Sequence, residues 1–353
     1  MSCLRVAGLL ATLLAAATAC ARAPSPDAGA RPAARAPAAP LSADSAGALL
    51  GALAHDSMEG RGTATSGGDR AARFIADRMR EYGLIPAGDS GYYQRVPLAA
   101  ATDSTGRRRL SLVTTAEAPE ATVRGVNVVG LIPGADPALR DEAVLIDAHY
   151  DHLGIGPPVA GDSIYNGADD DASGVVAVLG AARALAGGPP PKRTVIFLAT
   201  TGEELGLLGT RWYIDHPVVP LDRTVANLEI EMIGRPDSLA GGPGKAWLTG
   251  FERSTMGERL AAAGLPVVPD PRPEQHFFER SDNIAFARRG IPAHTLSSYN
   301  LHGDYHTPAD EAGRIDDAHL ARLVDATARA ARLLADGDPP AWHPGGRPAA
   351  AQP

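Results

Sequence analysis

Cysteine is scarce in this chain, whose 353 residues include only Cys3 and Cys20. If Cys3 is removed with a leader segment and Cys20 carries lipid, no pair remains to form a disulfide, even in an oxidising compartment. A basic stripe is also missing, and the net charge is −8. Binding to a nucleic-acid backbone requires clustered Lys and Arg, so nucleic acid is excluded as the main partner. The fold must be stabilised by its apolar core.

The apolar run near the N-terminus, residues 6–17, is too short to span a bilayer comfortably. It follows Arg5 and ends in Ala17-Thr18-Ala19-Cys20, which is similar to a lipoprotein cleavage box. We therefore expect residues 1–19 to be a signal segment, Cys20 to be lipidated and the protein to be exported to the cell envelope, facing the periplasm or the exterior. Simple cleavage near Ala19, without lipid, is the alternative.

Composition divides the rest of the chain into three parts, with no internal repeat. Residues 20–40 are mostly Ala, Pro and Arg, too poor in large apolar side chains to offset the entropy cost of ordering, so we expect a disordered tether. Residues 41–336 are long enough for one globular domain with a sizeable core. Residues 337–353 are again rich in Pro, Gly and Ala, and we expect a disordered tail.

Helical and strand patterns alternate through the central part. Apolar residues at helical spacing predict a helix over residues 66–82, ending at Gly83. Further helices are predicted at residues 174–186, 205–216, 253–263 and 316–334, and short apolar strands at residues 126–132, 143–148, 194–199, 225–233 and 291–296. This alternation predicts an α/β fold with a mostly parallel central sheet covered by helices on both faces.

Histidine and carboxylate residues cluster at the ends of these predicted strands. His149 and Asp151 follow residues 143–148, Glu203 and Glu204 follow residues 194–199, Glu231 closes the apolar run that begins at residue 225, and Tyr305 and His306 lie in the loop after residues 291–296. The run Asp169 to Asp171 lies where a strand connection should pass into the helix predicted from Gly174. Ligands of open α/β sheets bind outside the carboxyl ends of the strands, so this placement indicates an active site. Closely packed carboxylates need a cation, and His, Asp and Glu are the ligands of hydrolytic metal sites.

Each motif also has a structural interpretation when it is taken alone. A His and an Asp two positions apart, as at His149, recur by chance. The three aspartates could cap the helix predicted from Gly174, and the two glutamates could be exposed acids in a first helical turn. Their joint occurrence after strands favours the functional interpretation.

Six motifs in this order resemble the co-catalytic di-zinc metallo-aminopeptidases. They are HYDHLG (149–154), YNGADDDASG (165–174), TTGEELGLLGT (200–210), EMIGR (231–235), RSDNIAFARRGIP (280–292) and YHTPADE (305–311). The resemblance extends from about residue 41 to residue 334. That family includes bacterial leucine aminopeptidases, with glutamate carboxypeptidase II, glutaminyl cyclases and transferrin receptor as relatives.

The resemblance implies a role for each of these residues. Asp170 would bridge two zinc ions through a carboxylate next to a cis peptide bond. His149 and Glu231 would complete one zinc site, and Glu204 and His306 the other. Glu231 stands where many members have Asp.

Three more residues would assist the reaction. Glu203 would be the general base, Asp151 would hold His149 in its tautomer, and Tyr305 would donate a hydrogen bond to the developing oxyanion. The residues alone do not say which of the two glutamates binds metal, and only the family order separates them. His152 is not expected to bind metal; its expected role is at most a contact with the side chains that do.

The expected function is therefore hydrolysis of N-terminal residues from peptides with a free N-terminus, by water activated between two zinc ions. Two alternatives are a glutaminyl cyclase, which uses similar ligands around one zinc, and an inactive binding member of the family. The intact ligand set disfavours both.

Overall fold

The apolar strands form one sheet that runs through the centre of the molecule. The computed structural model describes residues 39–104, 108–113 and 123–350. In these ranges ten strands join one sheet and two more form a separate hairpin. Numbered along the chain, they are β1 Ile85–Pro86, β2 Tyr93–Thr102, β3 Arg108–Leu112, β4 Val123–Ile132, β5 Ala143–His149, β6 Gly154–Val159, β7 Asp162–Tyr165, β8 Thr194–Thr200, β9 Thr224–Ile230, β10 Ala246–Leu248, β11 Val267–Pro269 and β12 Ala293–Ser297.

The centre of the sheet is parallel and its flanks are mixed. The strand order is β11-β10-β12-β9-β5-β8-β4-β2-β3, with β1 paired to β4. The four neighbours β12, β9, β5 and β8 all run in the same direction. Strand β4 is antiparallel to β8, and β10 is antiparallel to β12. The predicted mostly parallel central sheet is confirmed. The strands that precede His149, Glu203, Glu231 and His306 belong to its parallel part, whereas the segment with Asp170 follows β7 of the separate hairpin.

The central strands β5 and β8 are buried on both faces, and their side chains alternate between the two faces. In β5, Val144, Ile146 and Ala148 enter one apolar cluster, whereas Ala143 and Leu145 enter another on the opposite face. This double burial explains why the central strands read as continuous apolar runs.

The described part of the chain contains seven α-helices. They are α1 Ala43–Leu53, α2 Ser66–Glu81, α3 Gly174–Ala186, α4 Leu208–Asp215, α5 Thr255–Ala262, α6 Asn283–Arg288 and α7 Asp317–Asp336. Helices α1, α2, α3, α5 and α7 pack on one face, and α4 and α6 on the other. Side-chain caps fix several starts: Thr65 accepts from the amide of Gly68, and Asp316 accepts from that of His319.

Two boundaries differ from the sequence prediction for physical reasons. Helix α4 starts at Leu208 rather than at residue 205, because Glu203–Leu205 forms a separate 3-10 turn that ends at Gly206, whose φ is 95°. The hairpin of β6 and β7 was not predicted, since β6 is mostly exposed and contains two prolines, and β7 has only four residues.

The C-terminal segment differs from the expected disordered tail. Residues 337–350 lie against the domain: the Trp342 ring packs near Phe278 and His294, and its Nε1 donates to the carbonyl of Gly290 at 2.9 Å. The composition of this segment is loop-like, but one half-buried aromatic ring anchors it.

The expectations for the N-terminus mostly concern residues outside the described ranges. The signal segment at residues 1–19, Cys20 and nearly all of the tether lie there. None of the helices within the described ranges is long and apolar enough to cross a membrane.

Candidate metal centre and active site

The site lies where the parallel strands end. Strand β5 ends with His149, β8 leads to Glu203 and Glu204, and β9 is followed at once by Glu231. The loop after β12 supplies His306. Because parallel strands present their carboxyl ends at one edge, these side chains are brought together there.

The three consecutive aspartates before α3 have different partners. Asp169 accepts from the amide of Gly234 at 2.7 Å, and Asp171 accepts from those of Gly174 and Met232 at 2.9 and 3.1 Å. The capping interpretation thus holds for Asp171. The Asp169 carboxylate also contacts Nε2 of His302 at 3.0 Å. Asp170 directs its carboxylate at His149 and His306, and its peptide bond to Asp171 is cis, as the resemblance implies.

Asp170 stands between two groups of candidate ligands. Its Oδ1 lies 3.2 Å from Nε2 of His149, and its Oδ2 lies 3.1 Å from Nε2 of His306. The same His306 nitrogen lies 3.2 Å from Oε2 of Glu204. One group of atoms close enough to hold an ion combines His149, Asp170 and Glu231, and the second combines Asp170, Glu204, His306 and His152.

A divalent cation fits this donor set. Nε2 of His149, Nε2 of His306 and Oε1 of Glu204 are buried and make no hydrogen bond with any described residue. Burial raises the pKa of Glu203 and Glu231 well above the usual range, and repulsion from neighbouring carboxylates adds to it. Imidazole nitrogens and carboxylate oxygens are zinc ligands, and positive charge here would relieve the repulsion.

Asp151 contacts its neighbours differently from the expectation. The Nδ1 atom of His149 donates to the backbone carbonyl of Asp151 at 3.0 Å, while the carboxylate is 3.9 Å away. That carboxylate instead accepts from the Thr63 hydroxyl at 3.0 Å and from the amide of Glu203 at 3.2 Å. The tautomer of His149 is therefore set by a main-chain oxygen, and the Asp151 side chain positions the Glu203 backbone.

Three non-glycine residues beside the ligands adopt left-handed backbone conformations. The φ angles are 59° for Leu207, 50° for Met232 and 56° for His306. Such conformations are unfavourable for residues with a Cβ, and they concentrate at sites where the surroundings hold a side chain in a fixed direction.

Arg61 lies behind the aspartate segment and is completely buried. Its guanidinium donates to the backbone carbonyls of Leu53, Tyr150, Asn166 and Gly167. A fixed five-donor fork suits this convergence of oxygens. Arg61 thereby joins the N-terminal helices to the segment that carries Asp170.

A second ionic cluster holds the same segment from the other side. Asp310 accepts from the amides of Asp169 and Asp170 at 3.0 and 3.1 Å, and its other partner is Arg235, at 3.1 Å. Arg235 also contacts Asp304 at 2.7 Å. Arg235 is thus held by two carboxylates and supports the aspartate segment.

A cavity of about 340 Å³ adjoins the candidate ligands. Its lining includes Glu203, Tyr305 and an aromatic wall. In that wall Trp247 stacks on Phe277 with ring centres 5.1 Å apart, and Phe277 meets Tyr299 edge-on at 5.9 Å. The cavity therefore places aromatic rings next to the charged centre.

Comparison with known proteins decides the family. A sequence profile of peptidase family M28 matches residues 127–331, more than half of the chain. The chain belongs to peptidase family M28. This confirms the resemblance drawn from the motifs, all of which fall inside the matched range.

Several M28 relatives are aminopeptidases by name. The chain is 25% identical to aminopeptidase YwaD of Bacillus subtilis in an alignment of 306 positions that covers 71% of this chain and 62% of that protein. It is 32% identical to probable leucine aminopeptidase 2 of Aspergillus oryzae over 172 residues, 47% of this chain and 32% of the relative. The chain thus spans about a third of the fungal relative and less than two thirds of the bacterial one.

Solved structures share the M28 fold with this chain. BSAP, a zinc aminopeptidase from Bacillus subtilis, superposes with a TM-score of 0.61 at 17% identity, covering 84% of this chain and 96% of the other. A glutaminyl cyclase from Porphyromonas gingivalis gives 0.55 at 18% identity, covering 82% and 98%. At these identities the likeness establishes the fold alone.

Sequence reasoning missed several residues around the centre. Arg61 stands in a Gly-rich stretch, where an arginine usually faces solvent, and its burial depends on carbonyls up to 106 positions away. His152 was set aside, although it lies in the HYDHLG motif three residues after His149. The aromatic wall comes from separate segments, so no local pattern reveals it.

Proposed function

We propose that this protein is an exported zinc aminopeptidase that removes N-terminal residues from peptides. The observation that carries the proposal is the position of Asp170, whose two carboxylate oxygens face His149 and His306 in separate donor groups. Family membership supports peptide hydrolysis, and aminopeptidases are prominent among the relatives.

Two zinc ions are proposed for each chain. His149 and Glu231 would hold one, Glu204 and His306 the other, and Asp170 would bridge them. When bound, such a pair would lower the pKa of a shared water and polarise the scissile carbonyl. Peptides with a free N-terminus are the expected substrates because the α-amine can serve as an additional ligand.

Glu203 is the proposed general base. It lines the cavity, and burial raises the pKa of its carboxyl well above the usual range, which favours proton capture. Its carboxylate would accept the proton of the attacking water and pass it to the leaving amine. The carboxylate of Asp151 accepts a hydrogen bond from the Glu203 amide and so orients Glu203. It does not compete with Glu203 for the proton of the attacking water.

Tyr305 is the proposed donor to the oxygen that gains negative charge. Its ring stacks on that of His306, with centres 3.8 Å apart. Burial, followed by repulsion from Asp170, raises the pKa of the phenol, so it keeps its proton at the pH of catalysis.

A metal and substrate experiment tests the proposal. Metal-free protein is assayed on three kinds of substrate: aminoacyl p-nitroanilides, the same compounds blocked at the N-terminus, and peptides that begin with Gln. Bound zinc is measured in the same samples. Hydrolysis should appear as zinc approaches two ions per chain and should be limited to free N-termini. Full activity at one zinc would refute the two-metal proposal, and cyclisation of Gln without hydrolysis would favour a glutaminyl cyclase.

The proposed location depends on Cys20, which lies outside the described residues. Cys20→Ser should shift the protein from the membrane fraction to the soluble fraction. A wild-type protein that is wholly soluble and begins at another residue would contradict lipid anchoring.

A further inference from the structure

His152 lies against the second group of candidate ligands, although the proposed function gives it no task. The side chain is fully buried. Its Nδ1 atom is 2.8 Å from Oε1 of Glu204 and 3.8 Å from Oδ2 of Asp170. Its ring meets that of His306 edge-on, with centres 5.5 Å apart.

The nitrogen atoms of His152 are close to oxygen without being aligned to donate to it. Neither nitrogen has a hydrogen-bond partner among the described residues. Nε2 of His149 and Nε2 of His306 share this property, although both lie 3.1–3.2 Å from carboxylate oxygens. Imidazole nitrogens that lie 2.8–3.2 Å from carboxylate oxygens without forming a hydrogen bond are placed as ligands of a shared cation would be.

The local backbone fits closely over the His152 ring. Gly167 has a φ of 55°, and a Cβ atom added there would lie 2.5 Å from Cγ of His152 and 2.1 Å from the carbonyl oxygen of Asp170. Only glycine allows this approach. The segment that carries Asp170 therefore packs directly on His152 and limits its movement.

We propose that His152 is a fourth protein ligand of the cation bound by Asp170, Glu204 and His306. The four ligand atoms all lie within 4.8 Å of one another, as a single coordination sphere requires. The proposal rests on the two-metal function above, because it assumes a cation in this group.

The consequence is an asymmetric centre. The His149 group offers three protein ligands, and the His152 group offers four. Four protein ligands are typical of closed zinc sites, whereas catalytic sites keep a position open. We therefore infer that the His152 group binds zinc more tightly, and that the His149 group keeps the position available to water or substrate.

Zinc binding to the full-length, metal-free protein tests this inference independently of activity. Zinc is titrated against a chromophoric chelator for wild type, His152→Ala and His152→Asn. His216→Ala is the control, since His216 is an exposed histidine stacked on Trp212. Wild type and the control should bind two ions. His152→Ala should lose affinity for one by more than about 100-fold, beyond the 10–100-fold typical of a residue that only orients a ligand.

His152→Asn separates a ligand from a hydrogen-bond donor. Its amide can donate to Glu204 from near the Nδ1 position, but it is a poor zinc ligand. Weak binding by His152→Asn supports the proposal, whereas wild-type affinity in either variant overturns it. If wild type itself binds fewer than two ions, the proposed two-metal function fails first.

X-ray absorption at the zinc edge of the wild-type protein gives a second test that does not depend on variant folding. With His152 bound, the two ions together should show three imidazole ligands, from His149, His152 and His306. A count of two would overturn the inference even if every variant unfolds.

Discussion

Replacement of Arg61 by Met should destabilise the fold strongly. The substitution keeps an unbranched apolar stem but removes the donors to the carbonyls of Leu53, Tyr150, Asn166 and Gly167. Hydrogen bonds to a charged group contribute about 1.5–3 kcal/mol each, so four amount to at least about 6 kcal/mol. Desolvation opposes them, as the lowered pKa of Arg61 indicates, and costs several kcal/mol. We expect a net loss of about 3 kcal/mol.

Urea unfolding of the metal-free protein measures this loss. Arg70→Met is the matched control, since Arg70 is partly exposed, pairs with Glu59 at 2.9 Å, and should change the free energy of unfolding by less than about 1 kcal/mol. Zinc affinity should fall in Arg61→Met because the segment carrying Asp170 loses its anchor. An Arg61→Met protein as stable as the control would refute the reasoning.

Three further predictions concern catalysis, acid stability and specificity. Glu203→Gln should keep its zinc while kcat falls about 10²–10⁴-fold, because it loses the general base. Glu204→Gln should instead lose zinc. The reverse pattern would make Glu204 the base and Glu203 the metal ligand. Burial lowers the pKa of His294 to about 4, below the unfolded value near 6.5, so the unfolded chain binds more protons between these values. The free energy of unfolding should therefore fall by about 3 kcal/mol from pH 6.5 to 4. Unfolding of His294→Gln, measured over the same pH range, should lack this contribution. If the free energy of unfolding changes with pH equally in the variant and the wild type, the prediction is contradicted. Trp247→Ala should reduce the preference for Phe-p-nitroanilide over Ala-p-nitroanilide, measured as the ratio of their kcat/KM values, by about 10-fold or more. An unchanged ratio would show that the aromatic wall does not select the substrate.

The sequence was most informative where local patterns and strand ends coincide. Helix α3 spans the predicted residues 174–186, because its apolar residues are continuous and it begins directly after the aspartate run. The parallel strands were readable as apolar runs because they are buried on both faces. The polar residues after them could be assigned to one edge before any distance was known.

Contacts between distant segments could not be predicted in this way. The carboxylate of Asp151 has Thr63 as its partner, 88 positions away, so the two-residue spacing from His149 gave the wrong contact. The aspartate triplet looks uniform, yet its members separate into a metal ligand candidate and two acceptors of backbone amides. That division depends on the loop after β9, which supplies the amides of Met232 and Gly234.

The packing of Trp342 bears on where the functional unit ends. A boundary drawn at the end of α7 would seem natural from composition, but it would remove the ring beside Phe278 and His294 and the hydrogen bond to Gly290. Phe278 directly follows Phe277 of the aromatic wall. Shortened expression clones ending near residue 337 would thus uncover the apolar cluster that contains Phe278, one residue from the cavity wall, so recombinant work on this enzyme should retain the chain through residue 350.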